Sequence, residues 1–257
     1  MTTRTVHLAG GLDIAIDERG TAGDTGVLLL HGGAGPLSMA GLAGAMSEHA
    51  YVITPTHPGF AGQARPDWFD SVADLASAYL DLLDVLDLRR VLVIGNSVGG
   101  WIAPEMALRD NHGRIGGLVL LNAVGVEPAH PGQIADAVTS GPAEFAKLAW
   151  HSPALRPDPT AMSAEQLAAM AANQQTLAVY AGDPYMHDPK LGRRLHRVTV
   201  PVLVAWGEQD GVVPEVYGRA YADLFPDARF QLVPEAAHFP QIEQLDLTIE
   251  AIAKFTG

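Results

Sequence analysis

The sequence predicts an α/β fold, a mainly parallel sheet with helices on both faces and a helical insertion in the second half of the chain. Three observations carry this. Apolar runs of strand length recur at 27–30, 51–54, 90–94, 118–121, 202–206 and 230–233, as expected of strands buried on both faces. Helical stretches separate most of them, which is the alternation that parallel crossovers require. One interval, 126–197, breaks the alternation and holds no convincing strand.

The elements follow in order. Residues 6–8 and 13–17 alternate around Gly10-Gly11 and read as an antiparallel hairpin ahead of the parallel strands. The stretch 71–86 puts Val72, Leu75, Ala76, Tyr79, Leu82, Leu83 and Leu86 on one face, with Asp74, Asp81 and Asp84 outside it, so it forms a helix with one buried stripe. Another helix is expected from Trp101 to Arg109. Within 126–197, Pro142 suits the first turn of a helix, and Ser163 with Gln166 makes a capping box for a second one that ends near Tyr180. No fixed-period repeat, low-complexity tract or linker divides the 257 residues, so one core, 1–125 with 198–257, is expected to carry 126–197 as an insertion.

Composition removes several classes of function. Twenty-nine Asp and Glu against sixteen Lys and Arg give a net charge of −13, the wrong sign for tracking phosphate backbones or anionic lipid. Neither nucleic acid nor a membrane is an expected partner. The chain has no cysteine, which excludes disulfides, thiolate nucleophiles and Cys-based metal sites. Residues 1–20 lack the basic-then-apolar pattern of a signal peptide, and no apolar run approaches the ~20 residues that cross a bilayer. A cytoplasmic, soluble protein is the expectation.

The sharpest motif is Gly95-Asn96-Ser97-Val98-Gly99-Gly100, between an apolar strand and a helical stretch. A G-x-S-x-G turn in that context lifts the serine to the apex of a strand-to-helix corner, and the glycines keep side chains from colliding across it. The hydroxyl of Ser97 should therefore stand exposed. The following helix start directs N–H groups toward developing negative charge. A second element, His31-Gly32-Gly33-Ala34-Gly35-Pro36, follows the strand 27–30. It is not completed as a dinucleotide-binding G-x-G-x-x-G, because position 38 is Ser. The N–H groups of Gly33 and Val98 are the candidate oxyanion donors, and His31 is expected to stabilise its loop rather than to react.

A serine hydroxyl needs a base to take its proton and a carboxylate to orient that base. Asp210 follows the strand 202–206 and His238 follows the strand 230–233. Ser97, Asp210 and His238 stand in the chain order of an α/β-hydrolase triad. Glu208 and Glu127 compete with Asp210 for the role of the acid. None of the other nine histidines stands at metal-ligand spacing, so no metal or cofactor is expected.

On these motifs the sequence resembles the α/β-hydrolase superfamily along essentially its whole length. The run Thr56-His57-Pro58-Gly59-Phe60-Ala61-Gly62 is similar to the family's loop after its fourth strand, with His57 where many members carry Asp. The resemblance makes 126–197 a helical lid. Gly-Asn-Ser-x-Gly-Gly and the stretch 183–191 are similar to esterases and to meta-cleavage-product C–C hydrolases. Those C–C hydrolases usually hold a carboxylate with a lid arginine and carry Trp after the histidine. Here the lid helix offers Asn173-Gln174-Gln175, and position 239 is Phe. Arg156, Arg193 and Arg194 are substitutes that spacing does not separate. Ester hydrolysis of a small-molecule substrate through an acyl-enzyme ranks first. C–C hydrolysis of a vinylogous diketone and a non-catalytic hydrolase-fold receptor are the alternatives. Trp101, Trp150, Tyr185, Met186 and Phe239 are the candidate pocket residues. Homo-oligomerisation is left open.

Overall fold

The uniformly apolar runs become the strands of one sheet. In the computed structural model, which describes residues 2–23, 26–136 and 140–257, the strands are β1 (Thr2–His7), β2 (Asp13–Arg19), β3 (Val27–Leu30), β4 (Val52–Pro55), β5 (Val91–Asn96), β6 (Ile115–Leu121), β7 (Val202–Gly207) and β8 (Ala228–Val233). Their order is β1-β2-β4-β3-β5-β6-β7-β8. The opening hairpin and the β2–β4 pair are antiparallel, and every other pair is parallel.

Burial on both faces explains why these runs do not alternate. Leu28, Leu30, Val93, Leu118, Leu120, Val202 and Val204 face one core, whereas Val27, Leu29, Ile94, Val119, Leu121, Leu203 and Ala205 face the other. The first core is covered by α2 (Val72–Val85), α3 (Val98–Arg109) and α6 (Glu215–Ala222), and the second by α1 (Ala40–Met46) and α8 (Leu245–Thr256). At the start of α2, Ser71 and Asp74 exchange capping hydrogen bonds, so Asp74 lies outside the apolar stripe because it closes the helix end.

The first hairpin strand begins at Thr2 rather than at 6, and β6 and β8 also differ from expectation. β6 begins at Ile115, earlier than 118, because Ile115 and Gly117 pair with Val91 and Leu92 across a register shift that skips Gly116, and the two glycines give no apolar signal. β8 is an edge strand with Arg229 and Gln231 exposed, not a strand buried on both faces.

Register aligns the strand ends that matter for chemistry. Leu30 lies opposite Gly95, Asn96 opposite Leu121, Leu121 opposite Ala205, and Gly207 opposite Val233. The loops leaving β3, β5, β6, β7 and β8 therefore emerge side by side at the carboxyl edge, where open α/β sheets place their sites.

Between β6 and β7 the chain leaves the sheet and forms α4 (Pro142–Ala149) and α5 (Ala164–Ala181). Pro142 occupies the first turn of α4, and Ser163 with Gln166 closes the start of α5. Residues 137–139 of this interval lie outside the described residues. The first half of α5 is exposed all round, and its second half docks through Asn173, Thr176, Leu177 and Tyr180. Among the described residues, no helix is long and apolar enough to cross a membrane.

Candidate active site

Ser97 sits between β5 and α3 with φ 55° and ψ −118°. A non-glycine residue in that region stores ~1–3 kcal/mol of strain, which the surroundings must hold in place. The corner is too tight for side chains beside it: a Cβ on Gly95 would lie 2.1 Å from the Gly99 carbonyl oxygen, and one on Gly99 2.1 Å from that of Leu30. Ser97 is 9% exposed, so it is nearly buried rather than open at the apex. Gly32 lies directly against it, since a Cβ there would be 2.9 Å from the Ser97 Cβ. The Val98 N–H opens α3, where the helix dipole favours negative charge. Among the described residues, neither the Gly33 nor the Val98 N–H has a protein acceptor.

The carboxyl edge brings Asp210 and His238 together. His238 Nδ1 lies 2.9 Å from Asp210 Oδ2, and both residues are buried. Asn122 Nδ2 donates to the same oxygen at 2.6 Å, while Oδ1 accepts from the Val212 and Val213 N–H groups at 2.8 and 3.1 Å. Four donors on two oxygens suit a carboxylate, which only accepts. The proton of a neutral His238 is thereby held on Nδ1, and Nε2 is left free to accept. Asn96 Nδ2 donates to the His238 carbonyl at 3.0 Å, tying the His238 loop to the residue before Ser97.

The competing acids are elsewhere. Glu208 is exposed and accepts from the Gln209 side chain at 3.0 Å, and Glu127 is exposed.

The segment between β6 and β7 is also joined to these loops. At the end of α4, the Leu148 carbonyl accepts from Gly211 N–H and the Ala149 carbonyl from His238 N–H, both at 3.0 Å. Glu243, in the short helix α7 (Pro240–Glu243), accepts from Ser152 N–H on one oxygen and Ala237 N–H on the other, each at 2.8 Å. On the other side, Asn173 Oδ1 accepts from Ala61 N–H and Thr176 donates to the Gly59 carbonyl, both at 2.9 Å. Leu177 lies over Gly33.

Asn122 and Glu243 are not among the residues that the sequence singles out, and Asn96 is named there only within the serine motif. For Asn122 a signal existed, an amide directly after the apolar run 118–121, where a strand reaches the carboxyl edge. Asn96 was visible only as the variable position of the serine motif, and nothing in the sequence marks Glu243.

The candidate pocket residues fall into two groups. The Trp150 and Phe239 rings pack at 4.7 Å, and Phe239 meets the His238 ring edge-on at 5.3 Å. Trp101 is buried against Gly125 with its indole N–H unpartnered. Tyr185 and Met186 precede His187, which bridges to Gly125, so they approach from the Trp101 side. Of the three arginines, Arg194 is held by Glu105 and Asp188, Arg193 is exposed, and Arg156 donates to the Trp150 carbonyl at 3.2 Å.

A serine on a strained strand-to-helix corner, with an Asp–His pair on neighbouring strand ends of a mainly parallel sheet, is an arrangement of hydrolase type. The sequence pattern of the alpha/beta hydrolase family matches residues 27–251, and the chain belongs to that family. The dihydrolipoyllysine-residue acetyltransferase component of the acetoin cleaving system of Pseudomonas putida is 27% identical over 258 residues, covering 96% of this chain and 67% of that protein. The 2-hydroxymuconate semialdehyde hydrolase of Pseudomonas putida is 28% identical over 242 residues, covering 89% and 85%. A thermophilic esterase from Thermogutta terrifontis shares the fold with a TM-score of 0.78 at 23% identity, covering 100% of this chain and 98% of that one.

Proposed function

We propose that the chain is a serine hydrolase that cleaves a carboxylic ester or similar acyl bond. The observation that carries this is the buried Asp210–His238 pair, 2.9 Å apart, beside the corner that carries Ser97. Ser97 Oγ attacks the carbonyl carbon as its proton passes to His238 Nε2, and the resulting oxyanion is met by the N–H groups of Gly33 and Val98. His238 returns the proton to the leaving alcohol, and water then releases the acid from the acyl-enzyme by the same route. Residues 126–197 serve as a lid that excludes water and shapes the acyl pocket, with Trp150 and Phe239 nearest to the base.

A second reading is C–C bond hydrolysis, which the 2-hydroxymuconate semialdehyde hydrolase favours as a relative along most of its length. Against it stand Phe239 and Asn173-Gln174-Gln175, and Arg194 is occupied by two carboxylates. Only Arg156 of the three arginines is half-buried without a carboxylate partner among the described residues.

The test is labelling with a fluorophosphonate, followed by a panel of aryl esters of graded acyl length and one ring-fission product. Wild type should label and show a burst of aryl alcohol, and Ser97→Ala should do neither. A labelled Ser97→Ala protein, or a wild type that neither labels nor turns over any ester, overturns the reading. Turnover of the ring-fission product far above that of every ester selects the second one.

A further inference from the structure

The fold buries two histidines that the proposed chemistry leaves unused. His31 and His57 are 0% exposed, and their rings stack with centroids 3.7 Å apart. Phe60 meets both edge-on.

Their hydrogen bonds leave one arrangement of protons. The His57 backbone N–H donates to His31 Nε2 at 3.1 Å, so that nitrogen is bare and the His31 proton sits on Nδ1. His31 Nδ1–H donates to the Gly32 carbonyl at 2.8 Å. His57 Nε2 faces the His31 carbonyl at 2.8 Å, and a carbonyl only accepts, so His57 carries its proton on Nε2. His57 Nδ1 is then bare and receives the hydroxyl of Tyr79, which is itself fully buried in α2. Burial pushes the pKa of His31 down to about 4 and that of His57 well below the ordinary range, so both rings are neutral at pH 7.

The chain of donors ends on the peptide that the mechanism needs. A peptide unit is planar and trans, so fixing the Gly32 carbonyl fixes the opposite direction for the Gly33 N–H. Gly35 N–H is a second donor to the same carbonyl, at 3.1 Å. Between two glycines, backbone torsions alone would leave this peptide free to turn over.

We infer that Tyr79, His57 and His31 form a positioning relay that holds the Gly32–Gly33 peptide in the orientation presenting the Gly33 N–H to the carbonyl attacked by Ser97. The inference rests on the oxyanion role proposed for Gly33. It gives His57 a task a carboxylate would not perform, because only a donor can meet the His31 carbonyl.

Tyr79→Phe removes one oxygen and keeps the ring. His57 Nδ1 then loses its donor, and the tautomer with an acceptor against the His31 carbonyl is no longer excluded. Ester turnover should fall roughly 10- to 100-fold in kcat with KM little changed. Affinity for an aryl trifluoromethyl ketone, which forms an oxyanion on Ser97, should fall by the same factor, while affinity for the matching methyl ketone stays constant. Imidazole ¹⁵N spectra of the wild type should show His31 protonated on Nδ1 and His57 on Nε2.

Either of the opposite tautomers overturns the relay, whether or not Tyr79→Phe folds. So does an active wild type whose Tyr79→Phe variant keeps the ratio of the two ketone affinities. A wild type with correct tautomers but no labelling or ester turnover instead overturns the proposed function.

Discussion

Asn122 and His238 share one oxygen of Asp210: the amide Nδ2 lies 2.6 Å from Oδ2 and the imidazole Nδ1 2.9 Å from it. Asn122 also accepts from Gly207 N–H at 3.0 Å and adopts φ 46°, so it locks the end of β6 to the start of the Asp210 loop. Asn122→Ala leaves the Gly207 N–H unpaired and frees the carboxylate to rotate. A stability loss of roughly 1–3 kcal/mol is expected, with a fall in kcat for aryl esters. Urea unfolding and steady-state kinetics check both, and an unchanged kcat would mean that the Val212 and Val213 N–H groups hold Asp210 without help.

Asp210→Asn should slow turnover by roughly 10⁴, because the amide favours the wrong imidazole tautomer and cannot stabilise the imidazolium. Glu208→Gln should change little, since that side chain is exposed and faces Gln209. Measuring kcat for the two variants side by side decides between the acids.

Glu243→Gln keeps the size of the side chain but turns one acceptor into a donor facing a backbone N–H. The His238 loop at Ala237 and the segment at Ser152 would lose one of the two bonds through which Glu243 joins them. The expected result is a loss of roughly 1–3 kcal/mol in stability together with slower fluorophosphonate labelling. Full labelling speed in a destabilised variant would show that the clamp serves the fold alone.

Leu177→Ala and Trp150→Ala should alter preference among esters while Ser97 still labels. Leu177 covers Gly33, and Trp150 packs on Phe239 beside His238. Each lost contact should shift kcat/KM between a short and a bulky acyl ester by ~1–3 kcal/mol. An equal loss on both esters would place these side chains outside the pocket.

Acid should unfold the protein through His31 and His57. The pKa of His31, about 4 when folded, is below that of an exposed imidazole at ~6.5, so the unfolded chain takes up the proton first. The stability involved is complete above pH 6.5 and drains away as pH falls toward 4, at up to ~1.4 kcal/mol per pH unit for each such histidine. His57, whose pKa burial also pushes well below the ordinary range, acts in the same direction. The urea midpoint of the wild type should drop across this window more steeply than that of His57→Gln, and equal slopes would contradict the neutral pair.

What the sequence determined by itself was whatever depends on neighbours along the chain. The strand before Ser97, the glycines around it and the helix after it are local demands of one tight corner, so six residues sufficed to locate the elbow. The stripe on α2, Pro142 at the start of α4 and the Ser163–Gln166 cap were readable for the same reason, because helical periods and caps are set within a few residues. Asp210 could be named from its place after a strand, but Glu208 competed until the fold turned one carboxylate toward His238 and the other to solvent.

Only the tertiary structure decided the support of the site. Asn122 and Asp210 are 88 residues apart, and Asn96 and His238 are 142 apart. They meet because parallel register brings the ends of β5, β6, β7 and β8 to one edge. The burial of Ser97 likewise depends on segments outside its own corner. An amide at a strand end or a glutamate in a short helix acquires its role from the backbone groups that folding sets beside it, and no periodicity or spacing in the chain encodes which groups those will be.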